Sequence, residues 1–568
     1  MTSIPGCPKL PLMRKPARAA LVGVAVAALI TLPGLGNGTL WDNSETAYGE
    51  VAREILLYHD WIVMHLNGAP WFVQPPLYFW IGALFAKLFG VSSFALRLPS
   101  ALATIAMGGM TGWALTRQAG MRAGIYASVI LSTCLMQAIV GRLAIMDALL
   151  DLAVALSIFW WFRALQSGRD RYSVYGWVAA GFGFLAKGPV APVIALMVIV
   201  PYYLWNRRAT QTKTPTWRGW ALGLALFGAV VVPWFAALIA RTGLHSVVEL
   251  IGHYTFGRYT GTIENQSGPL WYYVPVLVLG FFPWVAFFPS AISYGIDRLK
   301  RGARDEGDRN VQQMLRLAFV WIVVPFVFFS FAKTKLPNYI ALEFPALALV
   351  VALYFDAVVR KGRSRSVVAS AVAVPVTIAM VAVAIVWFSR DNGLTADLQT
   401  LATDLLLMGA AIFVGSIVTA ALLARNETMG YAPYVLGGAT TLAVLFLALL
   451  ALPNAERFKP IPTLAAAIDA HSRPGDAIAI QSVAGSNALL FYTRPKVYVL
   501  ASPGGSAAGS LRDPRSVICA APRAWVIAPK APRPYDPAYG RERTLVAHSG
   551  DAVLYLFHGP RCRARLSS

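Results

Sequence analysis

At 568 residues, with 57% hydrophobic side chains and 13% charged ones, the chain is too apolar to fold as a water-soluble globule. A formal charge of +22 would suggest nucleic acid in a soluble protein. Here Arg and Lys gather in short loops between apolar runs, which is the positive-inside pattern of a membrane protein and calls for no nucleic-acid partner.

In chain order, residues 1–16 form a basic leader (Lys9, Arg14, Lys15) before an apolar run at 17–36. No small-residue cleavage site follows, so that run reads as an uncleaved first span. Further runs lie at 77–92, 97–116, 122–140, 146–162, 172–186, 188–206, 219–240, 269–290, 314–332, 338–357, 366–388, 403–424 and 433–452. The basic loops 163–171, 206–218, 297–316 and 360–365 are expected in the cytoplasm, with the N-terminus. Counting back from 163–171 puts 94–97 on the outer side, where the first span also ends. The run 77–92 therefore does not cross. It starts with Pro-Pro, carries aromatics and Lys87, and reads as an interfacial or re-entrant helix. About thirteen spans remain, and everything after Pro453 falls outside.

The first outer loop, 37–96, is dense in acids where charge is scarce elsewhere: Asp42, Glu45, Glu50 and Glu54. Glu50 and Glu54 stand four apart and share a face on a helix. The plain alternative is a solvated loop. Next on the outer side comes Gly141–Asp147, with Asp151 a turn further on. A carboxylate at a span's mouth is costly unless hydrated or paired, and the structural alternative is an ion pair with Arg142 or Arg97. Lys187-Gly-Pro189 places a cation at a broken helix joint. The loop 241–269 holds His245, His253, Arg258 and Glu264, without a metal-binding spacing. Gly268–Tyr273 reads as an aromatic belt. Lys333-Thr-Lys-Leu-Pro-Asn-Tyr339 sets two cations outside, against the positive-inside trend, and is the strongest single hint of an anion site.

Carboxylates and cations on one water-facing rim suggest chemistry on an anionic, membrane-bound substrate. The chain shows no nucleotide-binding Gly-rich loop, zinc pattern or Gly-x-Ser-x-Gly elbow. A polyprenyl-phosphate sugar would supply an activated donor, with its tail among the spans and its phosphate near the cations. From about residue 461 the composition becomes that of a soluble domain. Helices are expected at 464–471 and 486–492, and strands at 477–481, 497–500, 525–528 and 553–557, a compact α/β pattern. Cys519 and Cys562 share this region, and an oxidising compartment would permit a disulfide there without the sequence deciding whether they pair.

The ordered set Trp41-Asp-Asn-Ser-Glu45, Tyr48, Glu50-Val-Ala-Arg-Glu54, Asn67-Gly, Gln74-Pro-Pro-Leu-Tyr78, Arg97-Leu-Pro-Ser, Arg142-Leu-Ala, Asp147, Lys187-Gly-Pro, Gly268-Pro-Leu-Trp-Tyr-Tyr and Lys333–Tyr339 resembles the bacterial glycosyltransferases related to protein O-mannosyltransferases. Within them it is most similar to the transferases that place aminoarabinose on lipid A, in register over roughly residues 17–360. The resemblance implies a polytopic α-helical protein of GT-C type. Its transmembrane domain would span 17–460, and a small periplasmic α/β domain 461–568. It further implies inverting transfer from a polyprenyl-phosphate-linked sugar to a lipid or glycan acceptor such as lipid A, in the bacterial inner membrane, with no cofactor. The family's paired acid falls on Ser44-Glu45, so its first member is missing, and its Glu-Lys before Pro-Pro becomes Val73-Gln74. Val73 also removes a carboxylate that resembles a metal ligand in some relatives, and no metal is expected. A hydroxyl acceptor would need a base, Glu45 first and Asp42 second, whereas a phosphate acceptor is already ionised. Asp147 would orient a cation or a sugar hydroxyl. Tyr48, Gln74, Tyr78, Arg97, Lys187, His253, Arg258, Lys333, Lys335 and Tyr339 are the expected substrate contacts. Alternatives are a protein or polysaccharide O-glycosyltransferase of the same fold, or a glycolipid transporter. A transporter would more often show repeats and mid-membrane charges.

Overall fold

The computed structural model describes residues 15–41, 44–209, 212–262, 266–362, 365–391, 396–481, 483, 486–493, 496–500, 512, 514–530 and 542–558. They fall into two compact units. The first is drawn from 1–34, 73–75 and 100–448, the second from 35–72, 76–99 and 449–568.

The first unit is a helical bundle of a multi-pass membrane protein. Among the described residues, 8 helices are long and apolar enough to cross a membrane, from Asp147–Ser167 to Met429–Ala455. A ninth results if Tyr273–Gly280 and Trp284–Lys300, bent by 105° where they meet, act as one span. Shorter or less apolar helices occupy the other expected positions: Lys15–Thr31, Ser93–Ala119, Met121–Thr133 with Leu135–Val140, and Asp170–Lys187. Each predicted run thus falls on helix. The interior is aromatic and aliphatic, with Trp161, Trp284 and Trp321 fully buried, and the segment Pro337–Lys361 runs through its middle almost wholly buried. A helix apolar on every side belongs in such a position.

The second unit contains the helix Ser44–Tyr58, a small hairpin, the helix Leu77–Phe89 and a C-terminal sheet. Asn67 and Gly68 both take positive φ (57° and 74°) between His65–Leu66 and Ala69–Pro70. Asn-Gly is the pair that a tight two-residue hairpin turn favours. The helix Leu77–Phe89 has 13 residues, about 20 Å at 1.5 Å per residue, which is too short to cross roughly 30 Å of hydrocarbon.

The sheet has five strands among the described residues, ordered Val497–Leu500, Ala477–Gln481, Ala524–Pro529, Ala552–His558, Glu542–Ser549. The first three are parallel and the last two antiparallel, with Ile478 opposite both Val497 and Trp525. Helices Pro460–His471 and Ser486–Tyr492 bury Leu464, Ile468 and Leu489 against Ile478, Ile480, Trp525 and Leu554. All four expected strands and both expected helices are present. The strand Glu542–Ser549 was not expected, because its polar residues and a bulge between Leu545 and Ala547 blur the alternation of an edge strand. Cys519 is disulfide-bonded, and Cys562 lies outside the described residues.

The C-terminal region shares its unit with the first outer loop. Tyr492 Oη accepts from the Leu40 amide at 2.6 Å, Asn67 Nδ2 donates to the Val497 carbonyl at 2.8 Å, and Thr39 Oγ1 donates to Glu456 at 2.6 Å.

Candidate active site

In the first unit a cavity of about 310 Å³ is bordered by Gln74, Asp147, Lys187, Arg258, Thr334 and Tyr339 on its polar side. Its apolar wall is Leu150, Val190, Val193, Phe256, Phe328 and Phe329. Polar groups at one end of an apolar pocket suit a ligand with a charged head and a greasy tail.

Two cations stand in it, each fixed by a neighbour. Lys187 ends the helix Asp170–Lys187, and Gly188 turns the chain away with φ +71°, a conformation costly for any residue with a Cβ. The Lys187 ammonium donates to Asp147 Oδ1 at 2.5 Å and lies 4.9 Å from the centre of the Tyr339 ring. Asp147 opens the helix Asp147–Ser167, where the partial positive charge of the helix N-terminus also favours a carboxylate. Arg258 Nη1 donates to the Tyr339 hydroxyl at 3.3 Å, so one tyrosine meets one cation with its ring and the other with its oxygen.

The backbone behind Arg258 is unusual. Residues Val248–Phe256 wind as a π-helix, with Thr255 Oγ1 donating to the Leu250 carbonyl at 3.2 Å, and this wide turn brings Tyr254, Thr255 and Phe256 to the cavity. The chain then pairs with the segment that precedes Tyr339. The amides of Lys333 and Thr334 donate to the carbonyls of Tyr259 and Arg258 at 3.0 and 3.1 Å. Arg258 and Tyr339 are thereby held on two strapped segments. Lys187 and Arg258 against Asp147 leave the polar end with one net positive charge.

The expected alternative partner of Asp147 is corrected. Arg142 donates instead to the carbonyls of Ile30, Thr31 and Pro33 at 2.9, 3.0 and 2.9 Å, satisfying carbonyls at the buried C-terminal end of the first helix. Arg97 belongs to Glu45.

In the second unit, that pair is closed on itself. Arg97 Nε and Nη2 donate to Glu45 Oε1 and Oε2, both at 3.0 Å, and Oε2 also accepts from the Trp41 amide at 2.7 Å. The guanidinium further donates to the carbonyls of Leu35, Asn37 and Thr39 at 3.0–3.2 Å. Glu50 pairs with Arg53 at 2.7 Å, and the Glu54 carboxylate accepts from the Gly68 amide at 3.1 and 3.2 Å. Glu45, Glu50 and Glu54 are therefore neither solvated nor idle, because they fasten the turns of the first loop. Burial raises the Glu50 carboxyl to about 7, against the pull of Arg53 and with help from Glu54. Tyr48 packs edge-on to Trp71, Tyr78 and Phe79, and the Tyr78 hydroxyl donates to the Leu96 carbonyl at 2.8 Å.

Gln74, Asp147, Lys187, Arg258 and Tyr339 are thus brought together as expected, while six expected contacts do not border the cavity: Tyr48, Tyr78 and Arg97, which lie in the second unit with Glu45, and His253, Lys333 and Lys335. Lys335 is turned inward, its ammonium donating to the Ser330 and Ala332 carbonyls at 2.6 Å and capping the helix Glu306–Phe331. Burial and the neighbouring Lys333 charge hold it below the usual lysine range. Lys333 and His253 are exposed and do not border the cavity. Asp42 and Glu264 lie outside the described residues. The sequence reading missed Tyr254, Thr255 and Thr334, for which the neighbouring Arg258 and Lys333–Tyr339 motifs were the available signal.

Residues 73–234 match the family of dolichyl-phosphate-mannose-protein mannosyltransferases. The chain is 31% identical over 350 residues to the undecaprenyl phosphate-alpha-4-amino-4-deoxy-L-arabinose arabinosyl transferase of Erwinia tasmaniensis, covering 59% of each chain. With the second such transferase of Sodalis glossinidius it shares 32% over 338 residues, 58% of each. The chain thus matches somewhat under two thirds of the length of these relatives. The crystal structure of ArnT from Cupriavidus metallidurans bound to undecaprenyl phosphate superposes with a TM-score of 0.79 at 22% identity, covering 95% of this chain and 99% of that one. The apo state of the same protein gives 0.76 at 21%. The fold is that of the GT-C glycosyltransferases of this type, and the resemblance read from the motifs is upheld.

Proposed function

We propose that this multi-pass membrane protein, with the GT-C fold of the aminoarabinosyl transferases, is an inverting glycosyltransferase that takes its sugar from a polyprenyl-phosphate donor. The sugar is 4-amino-4-deoxy-L-arabinose, in line with the names of the relatives, and the acceptor is lipid A. The carrying observation is the cavity in which Lys187 and Arg258 face an apolar wall, with Asp147 and Tyr339 fixing both cations.

In the reaction, the bond from the anomeric carbon to the donor's phosphate oxygen breaks while an acceptor oxygen adds from the opposite face. Negative charge grows on the departing phosphate, and prepositioned cations stabilise it more than they stabilise the bound donor. Asp147 sets the position of Lys187, and Tyr339 that of Arg258. The apolar wall takes the first isoprene units, and Gln74, which borders the polar end, hydrogen-bonds the sugar.

A phosphate acceptor is supported by the state of Glu45. Both of its oxygens accept from Arg97 and Oε2 also from the Trp41 amide, so the expected general base is held in a structural ion pair, and an ionised acceptor needs no base there. The N-terminus and the loop around Arg301 are assigned to the cytoplasm, and the C-terminal region to the periplasm of a bacterial inner membrane, on loop charge. Single cysteines at Arg301 and Thr463 test this, since only the second should react with an impermeant reagent in intact spheroplasts.

Full-length protein in liposomes with undecaprenyl-phosphate aminoarabinose and lipid A should yield lipid A heavier by one aminopentose. Donor consumed without a modified lipid A moves the acceptor elsewhere, and an untouched donor in the presence of a functioning relative removes the enzymatic reading.

A further inference from the structure

A second charged cavity lies in the first unit, at the far end of two helices from the one just described. Its volume is about 410 Å³, and Arg298, Arg301, Arg304, Arg360, Lys361 and Tyr294 border it. Arg298 sits in the last turn of the helix Phe288–Lys300, Arg301 and Arg304 in the connector to Glu306–Phe331, and Lys361 at the end of Phe344–Lys361. Phe329 lies near the opposite end of Glu306–Phe331, and Tyr339 in the turn Pro337–Glu343 that leads into Phe344–Lys361, on the order of 35 Å away at 1.5 Å per residue.

The carboxylates here are already engaged. Asp356 is held by Arg122 and Arg360, both at 2.7 Å, and Asp308 by Arg298. Asp305 accepts from the Asp308 amide at 2.7 Å as the cap of its helix. Arg301, Arg304 and Lys361 have no ion-pair partner among the described residues, and all three are exposed. The connector is nonetheless ordered around them. Gln312 Nε2 donates to the carbonyls of Arg298 and Arg301 at 3.1 and 2.7 Å, and the Arg304 amide donates to Asp308 at 3.1 Å. Five cations against the carboxylates of Asp305, Asp308 and Asp356 leave this pocket with two net positive charges, with the Lys361 ammonium 5.9 Å from the centre of the Tyr294 ring, and a polar pocket of that charge at the ends of apolar helices suits a phosphate.

We propose that this cavity binds the phosphate of an anionic lipid headgroup. Arg301 and Arg304 supply planar donors and Lys361 a point charge, while Tyr294 packs beside the glycerol region. The site is independent of the transfer reaction and uses none of its residues.

The test is native mass spectrometry of the full-length protein in detergent, titrated with phosphatidylglycerol, phosphatidylcholine or inorganic phosphate. Phosphatidylglycerol should bind saturably and at least about tenfold tighter than phosphatidylcholine, and weaken as salt rises. The triple variant Arg301→Gln/Arg304→Gln/Lys361→Gln should reduce it to the phosphatidylcholine level, with transferase activity unchanged. Should the triple variant misfold, Arg301→Gln alone must still weaken phosphatidylglycerol by several-fold. Equal affinity for the two lipids, or unchanged binding in the variants, overturns the proposal. Inorganic phosphate displacing phosphatidylglycerol at equal concentration overturns the lipid assignment and leaves a free-phosphate site.

Discussion

The Lys187–Asp147 pair of the membrane unit and the Arg97–Glu45 pair of the other unit use the same chemistry to different ends. Around Arg97 every strong donor is spent: two hydrogen bonds go to Glu45 and three to the carbonyls of the first loop. Lys187 has one carboxylate and one aromatic face, and borders an open cavity. A cation that has used its donors holds a fold together. One that keeps donors facing a pocket can receive a ligand. A count of charged residues does not separate the two cases, and the number of partners does.

The comparison can be broken most directly at Arg97. Arg97→Ala leaves a buried carboxylate and three carbonyls behind and should cost about 3–5 kcal/mol. Thermal unfolding of purified protein reads this, and a loss below about 1 kcal/mol would deny the pair its structural role. Next in size, Lys187→Ala should lower the transfer rate about 10²- to 10³-fold with the unfolding temperature little changed, as expected for a lost transition-state donor. Asp147→Asn should cost at least about tenfold through the misplaced ammonium. Near-normal turnover in both would take the pair out of the site.

A third measurement sharpens the comparison through pH. Glu50 titrates near 7 in the fold and near 4.5 when unfolded, so the folded state holds its proton more tightly. Its contribution is fully favourable below pH 4.5 and is lost as pH rises towards 7, a change on the order of 3 kcal/mol. Glu50→Gln should flatten the stability profile across that window, and an unaltered profile would assign the effect to another group. The smallest effect is expected at Tyr339→Phe, which keeps the ring on Lys187 and removes the hydroxyl from Arg258. A several-fold fall in kcat, about 1 kcal/mol, is the expected result, and Tyr339→Leu should lose more because the cation–ring contact also goes.

By itself the sequence determined that this is a multi-pass membrane protein, because apolar runs of span length and basic loops are local properties of a chain. It also located the short helix Leu77–Phe89 and the alternating C-terminal elements, each set by neighbours in sequence. It singled out Asp147 and Lys187 at the mouths of spans, and Arg258 and Tyr339 in outer segments that match the motifs of the resembling family. Only the tertiary structure decided who pairs with whom. Asp147 meets Lys187 across 40 residues, Glu45 meets Arg97 across 52, and Arg258 meets Tyr339 across 81. No pattern of hydropathy encodes such distances. The same packing turned Lys335 inward onto the carbonyls of a helix end while leaving Lys333, two residues before it, exposed. Which cation faces a ligand depends on which backbone carbonyls the fold leaves within its reach.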